Sequence, residues 1–361
     1  MYSKYFFFSV SVLMACNAGK HESSVEKFYS VNDFDSVRKI DTHIHLNTLQ
    51  ESFIHQAQKD NVQFLDIVDD RPFGIPMNDQ EQIAIEQTTK FPQEINYATT
   101  FSTANFNSNS FQNDAIASLK KSFQNGAIAV KVWKNIGMAL KDSSGKFVMI
   151  DDSRFDSILN FLEDNNIPLI GHLGEPRECW LPLDQMVLHK GYYREHPEYH
   201  MYLHPEFPSY EKQIAARDNM LAKHPRIKFV GAHLGSLEWS LEELANHLDK
   251  YTNMYVDLAR MPDLFLHAKN DWQKTRDFFI KYQDRLLYAT DVQVGESKDT
   301  ARFNKNIHDA RIRYWTFFVS DTDMNEDPVG SFKALHLPAS VINKIYYENA
   351  RRWLGMFNTR G

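Results

Sequence analysis

Residues 39–45 read KIDTHIH, with two histidines two apart at the end of a β-branched run. In a strand, residues i and i+2 share a face. His43 and His45 would therefore project together while Ile44 packs on the other side. Two imidazoles on one face make half of a metal site. With 15 histidines in 361 residues, chance supplies roughly 0.6 such pairs. The pair needs support from the rest of the chain.

That support comes from the ends of other apolar runs. "IPLIGHL" (167–173) leads to His172, "IKFVGAHLG" (227–235) to His233, and "LLYATDV" (286–292) to Asp291. Each is the first strongly polar side chain after apolar or small residues. Four imidazoles and one carboxylate at one place would suit Zn²⁺ or a similar borderline ion.

The elements needed to bring them together can be read from the pattern. Further strand candidates are "VRKIDTHIHL" (37–46), "VQFLDIVD" (62–69), "INYATTFS" (95–102), "AIAVKVW" (127–133) and "MYVDLA" (254–259), which makes eight in all. Between them lie segments of helical period, such as "QNDAIASLKKSFQNG", "DSRFDSILNFLEDNN", "YEKQIAARDNMLAKHP" and "SLEELANHLDKY". Asp152 or Ser153 is a fitting N-cap for the second of these. Near-continuous apolar strands alternating with helices predict a parallel sheet covered by helices. Eight units predict a closed (β/α)8 TIM barrel, whose chemistry sits at the C-terminal ends of its strands. No glycine-rich phosphate loop follows the first strand, which removes the main argument for a dinucleotide fold.

The ordered set "IDTHIH", "GHLGEP", "FVGAHLGS", "YATDV" and "IYYENARRWLG" resembles the amidohydrolase superfamily, in its amidohydrolase-2 branch of decarboxylases and lactone hydrolases. The resemblance implies that His43, His45, His172 and Asp291 hold a metal, and that His233 binds it or polarises the substrate. In some members strand four supplies a carboxylated lysine or an acid that bridges two metals. Here "VKVWKN" offers Lys131 and Lys134, of opposite strand parity, as bridge or substrate-binding cation. The sequence does not say which faces inward, so one divalent ion is expected rather than two, Zn²⁺ first and Mn²⁺ second. Metal-assisted hydrolysis follows, with Asp291 accepting the proton of the attacking water and His233 or the metal stabilising the oxygen charge. The expected substrate is a small molecule with an amide, ester or lactone bond. A decarboxylase or hydratase on the same scaffold is the alternative, and a non-catalytic ligand-binding lipoprotein a third reading.

Two stretches interrupt the alternation. "LKDSSGKFVMIDD" (140–152) reads as a hairpin turning at Ser144–Gly145. Residues 175–209, dense in aromatics, Pro and His, form a long insert after strand five, too aromatic for disorder and placed to wall a pocket. Glu175, Arg177, Trp180, His204 and Tyr210 are its candidates for substrate contact, with Arg177 as a carboxylate binder and Trp180 as a flat wall. Arg260, after "VDLA", joins them if strand seven ends there. The aromatic insert suggests a ring-bearing or sugar-like substrate.

The N-terminus, "MYSKYFFFSVSVLMAC", has one early charge and a short apolar run, the layout of an export signal. Its ending "LMAC" resembles the lipobox of bacterial lipoproteins, with Cys16 as the lipidated residue. The expected organisation is a signal peptide over 1–15, a polar tether over 16–36 and a single barrel domain over 37–361. Localisation follows as exported and lipid-anchored to a bacterial membrane, the outer one being favoured, on its periplasmic or surface side. Surface display leans toward hydrolysis of an external compound. Contact with the membrane would come only through Cys16, and one remaining thiol, Cys179, cannot build a disulfide framework. A net charge of −7 with no long basic run argues against a nucleic-acid partner, and a homo-oligomer is left open. A composition of 43% hydrophobic and 24% charged residues allows one large buried core.

Overall fold

The computed structural model describes Met1 and residues 26–357. The signal segment, Cys16 and the first part of the tether lie outside them. Strands β1 (Lys39–Leu46), β2 (Val62–Ile67), β3 (Ile95–Thr99), β4 (Ala129–Val132), β5 (Leu169–Gly171), β6 (Phe229–Gly231), β7 (Met254–Asp257), β8 (Leu286–Leu287) and β9 (Val292–Val294) form one parallel sheet. They run in sequence order from β1 to β8, with β9 on the other side of β1. This is a (β/α)8 barrel whose eighth strand is split in two. The first half pairs with β7 and the second with β1, Ile44 opposite Val292. The connecting residues close the ring: Thr42 N–H donates to Tyr288 O at 3.0 Å, and Asp291 N–H to His43 O at 2.8 Å. A continuous strand over 286–292 is therefore corrected to two pieces, broken where Asp291 takes a left-handed φ of 56°.

Strand parity decides which side chains enter the barrel. Ile40, Leu65, Ile67, Ala98, Ala129, Ile170, Val230 and Leu287 pack inside it. Each large apolar chain buried there stabilises the fold by roughly 1.5–3 kcal/mol. Ala350, Leu354 and Met356 belong to the same cluster, and Trp353 stacks on Tyr255 with ring centroids 4.0 Å apart. A register irregularity between Asp41 and Ile44 shifts the alternation within β1. Ile40 thus packs inside the barrel, while Ile44 and Leu46 pack outside with Phe53, Phe64 and Val294. Along β4, Ala129 packs inside and Val130 and Val132 outside, so Lys131 shares the inward side with Ala129.

Helices cover the outside, several of them started by ordinary capping chemistry. Asp152 accepts the Arg154 N–H ahead of the helix Asp156–Asp164, Ser209 caps Tyr210–Lys223, and Ser240 caps Leu241–Lys250. The hairpin after β4 is held by a bridge between Lys141 and Phe147, with Gly145 at a φ of 84° in its turn. The packed domain starts ahead of residue 37. Phe28 bridges Pro338, the Tyr29 hydroxyl donates to Asn343 Oδ1, and Phe34 is buried. No helix among the described residues is long and apolar enough to cross a membrane.

The insert is not a structureless loop. It contains 3₁₀ turns at Arg177–Trp180, Leu183–Gln185, Pro197–Tyr199 and Met201–Leu203, and a short helix Lys190–Glu195. Cys179, Met186, Tyr193 and Met201 form a small core of their own.

Candidate metal centre

Three histidines meet at the barrel mouth, and each turns the same ring nitrogen away from the centre. His43 Nδ1–H donates to Asp257 Oδ2 at 2.7 Å, His45 Nδ1–H to Ile67 O at 2.8 Å, and His233 Nδ1–H to Ala259 O at 3.2 Å. Their Nε2 atoms converge on Asp291. His43 Nε2 lies 3.4 Å and His45 Nε2 3.5 Å from Oδ1, and His233 Nε2 lies 3.7 Å from Oδ2. His43, His45 and Asp291 place one ligand atom each within 4.8 Å of the others, a group that could hold a metal ion. A carboxylate or carbonyl on the far ring nitrogen is the usual way a protein fixes the tautomer and angle of a ligating histidine. The donor set fits a divalent ion.

The backbone aims these groups. After β6 the chain turns through four consecutive left-handed residues, His233 (φ 56°), Leu234 (58°), Gly235 (64°) and Ser236 (56°). Such conformations cost of order 1–3 kcal/mol each for non-glycine residues and persist where surroundings enforce them. The coil is so tight that a Cβ on Gly231 would lie 2.7 Å from the Gly235 Cα. Asp257 Oδ1 accepts the His233 N–H at 2.7 Å, so one carboxylate orients both His43 and the His233 turn.

Electrostatics favour neutral imidazoles and ionised acids. Burial, with the Lys131 ammonium adding to it, pushes His43 down to about 4. Burial alone would raise Asp257 and Asp291, but the neighbouring histidines hold Asp257 below the usual carboxylate range and Asp291 well below it. His172 is also lowered well below its usual value, by burial and then by His233. Its ring meets that of His233 edge to face, centroids 4.5 Å apart. Lys131 is fully buried, with Nζ 3.2 Å from His43 Nε2, and burial pulls its ammonium down.

Above this group lies a cleft of about 290 Å³ lined from the barrel by Lys134, His172, His233, Arg260 and Asp291 and from the insert by Glu175, His189 and three tyrosines. Lys134 forms an ion pair with Glu175. Lys131 thus faces His43, while Lys134 sits higher, in the cleft wall. Four further candidates take other places. Arg177 gives its N–H to Glu238 and lays its guanidinium over Trp239, 4.2 Å from the ring centroid. Trp180 packs edge to face on Tyr210, and the buried Tyr210 hydroxyl donates to Ser236 O at 2.5 Å. His204 lies near Pro197 O and Glu206 within the insert. None of these four lines the cleft. Their contacts hold them against the insert and its barrel neighbours.

The sequence reading missed Asp257 and Asp69. Asp69 is buried, lies 3.6 Å from His45 Nδ1, and holds Arg71 beside that ring, with Arg71 Nε donating at 2.6 Å. Both acids end strand runs, in "MYVDLA" and "VQFLDIVD". That position is the signal that could have found them.

Fold and site together define a (β/α)8 barrel with a His–His–Asp group at its mouth that could bind a metal. The amidohydrolase family model matches residues 129–356, and the chain belongs to that family. Among solved structures it is similar to an uncharacterized TIM-barrel protein from Bordetella bronchiseptica, at 14% identity and TM-score 0.50 over 89% of this chain and 99% of that one. It is also similar to the 2,6-dihydroxybenzoate decarboxylase from Rhizobium, at 13% identity and TM-score 0.54, again over 89% and 99%. At that identity the likeness shows the fold alone. Among curated proteins none matches.

Proposed function

We propose that the chain is a metal-dependent hydrolase of small molecules, cleaving an amide, ester or lactone bond. The observation that carries this is the common orientation of His43, His45 and His233, each with Nδ1 occupied and Nε2 turned to Asp291. His43, His45, His172 and Asp291 would hold one divalent ion, Zn²⁺ before Mn²⁺. When bound, such an ion polarises a substrate oxygen and lowers the pKa of water to about 7. The chain's own residues do the rest. Asp291, ionised and partly open to the cleft, takes a proton from the attacking water at a carboxylate oxygen and delivers it to the leaving group. His233 polarises the substrate oxygen from the other side of Asp291. Lys134, Glu175 and Arg260 line the cleft from which substrate enters. Export and a lipid anchor at Cys16 remain part of this reading and rest on the N-terminal sequence.

A second reading has a specific observation in its favour. The buried Lys131, with its ammonium destabilised and its Nζ beside His43 Nε2, is placed to be carboxylated and to bridge two ions.

Metal content by plasma mass spectrometry decides between them, on the chain lacking residues 1–16 beside His43→Ala and Asp291→Ala. Near one equivalent, lost in both variants, supports the mononuclear hydrolase and justifies screening esters, lactones and amides. Two equivalents, with a carbamate resonance after carbon-13 bicarbonate labelling that Lys131→Met abolishes, establish the bridge. No metal, even after reloading, ends both readings.

A further inference from the structure

Insert and barrel meet across the cleft through a line of charged groups that hydrolysis at the metal does not call on. Glu178 accepts the backbone N–H groups of Val187 at 2.7 Å and His189 at 2.9 Å, and the His189 Nδ1–H at 2.8 Å. Against burial, which would raise it, these bonds bring its carboxyl down to about 2. With a guanidinium nitrogen of Arg260 at its Nε2 and the Glu178 carboxylate at its Nδ1, the His189 ring donates at Nδ1 and accepts at Nε2. Arg260 donates to that Nε2 through an Nη2 proton at 2.9 Å. Its Nε–H donates to Asp263 Oδ2 at 2.8 Å, and Nη2 lies 2.7 Å from the same oxygen as an ion pair. Two of the five guanidinium protons are thus committed to hydrogen bonds. The Nη1 group has no partner among the described residues, and Arg260 lines the cleft with His233 and Asp291.

The other cation in this wall differs, since Lys134 is paired with Glu175 inside the cleft itself. Arg260 is held from behind, with donors left over. Tyr192, Tyr193 and Tyr199 face the same space and offer flat apolar walls.

We propose that Arg260 anchors the carboxylate of a small, flat ligand in this cleft, and that His189, held by Glu178, is the positioning residue that sets the guanidinium for it. A planar fork binds a carboxylate well only when its angle is fixed. The Nε2 acceptor fixes it from the insert, opposite Asp263. This rests on the proposed function only in taking the cleft as the substrate site, and it needs no metal.

The test measures binding of 4-fluorobenzoate and its neutral isostere 4-fluorobenzamide by fluorine NMR, on metal-loaded and chelated protein, with metal content assayed in the same samples. Arg260→Gln should weaken 4-fluorobenzoate by about 10-fold or more and leave 4-fluorobenzamide unchanged. His189→Phe should weaken the anion by about fivefold, and His189→Gln, which restores an acceptor near that place, should recover most of it. Loss of both probes equally in His189→Phe would mean a structural role only and overturn the positioning claim. Equal affinity for the two probes in the wild type, no binding of either, or 4-fluorobenzoate binding that is indifferent to Arg260→Gln would overturn the anchor. Arg260-dependent binding in protein that takes up no metal would uphold the anchor while the hydrolase reading fails.

Discussion

The two walls of the cleft are built on different principles. On the barrel wall, His43, His45 and His233 are 1%, 3% and 8% exposed, and each is oriented by an acceptor on or just past the end of another strand. On the insert wall, Glu178 and His189 have side chains 17% and 22% exposed and bond mainly to each other and to their own loop. The barrel wall is fixed from several strands at once. The insert wall is a small folded unit, with its own core of Cys179, Met186, Tyr193 and Met201, laid against the barrel at a few points. A ligand set built the first way keeps its geometry while the second wall changes, so one scaffold can serve different substrates.

Replacing Asp257 with Asn strikes the barrel wall hardest without touching a ligand. Asn keeps the shape but loses the charge and offers one acceptor where the carboxylate now serves both His43 Nδ1–H and the His233 N–H. Metal affinity should fall roughly 10–100-fold, the usual cost of removing such a partner, measured by competition with a chromogenic chelator. Unchanged affinity would show that the barrel wall does not depend on its outer carboxylate, and the contrast would fail.

The same contrast explains what could be read in the sequence. Buried parallel strands are apolar to their ends, so the first strongly polar residue past a run stands out, as His172, His233 and Asp291 do, while His43 and His45 are marked by their i, i+2 spacing. Their partners were not legible. Asp257 meets His43 across 214 residues of chain, and an acid at a strand end carries no mark of which neighbour it serves. The irregularity between Asp41 and Ile44 and the left-handed Asp291 are backbone features with no glycine to announce them. Lys131 was ambiguous only until Ala129 was known to point inward. In the insert, residue type does not reveal contacts: Arg177 suits a carboxylate, and its guanidinium lies over Trp239.

Glu178→Gln sharpens the comparison from the insert side. It should cost about 1–2 kcal/mol near neutral pH, the worth of hydrogen bonds to a charged acceptor, with metal content unchanged. The carboxyl is lowered from 4.5 to about 2 on folding. Between those values the unfolded chain binds the extra proton, so stability rises with pH there. The advantage of the wild type over the variant should therefore be complete above about pH 4.5 and shrink as pH falls toward 2, read as the difference in denaturant midpoint. A difference that stays constant down to pH 3 would mean that the charge of Glu178 contributes nothing to the fold.

His204→Ala tests the outer face of the insert and should do least. The ring is partly exposed and meets Pro197 O, at 3.0 Å, Glu206, and the Phe207 ring edge to face with centroids 6.1 Å apart. A surface change of this kind stays within about 0.5 kcal/mol. Metal content and 4-fluorobenzoate affinity should both match the wild type, because nothing links His204 to His189 or to the barrel mouth except the insert's own small core. A loss of about 10-fold in either quantity would require that core to transmit a surface contact into the cleft. The insert would then be as tightly coupled to the ligand set as the strands are, and the division into a rigid wall and a separable one would have to be abandoned.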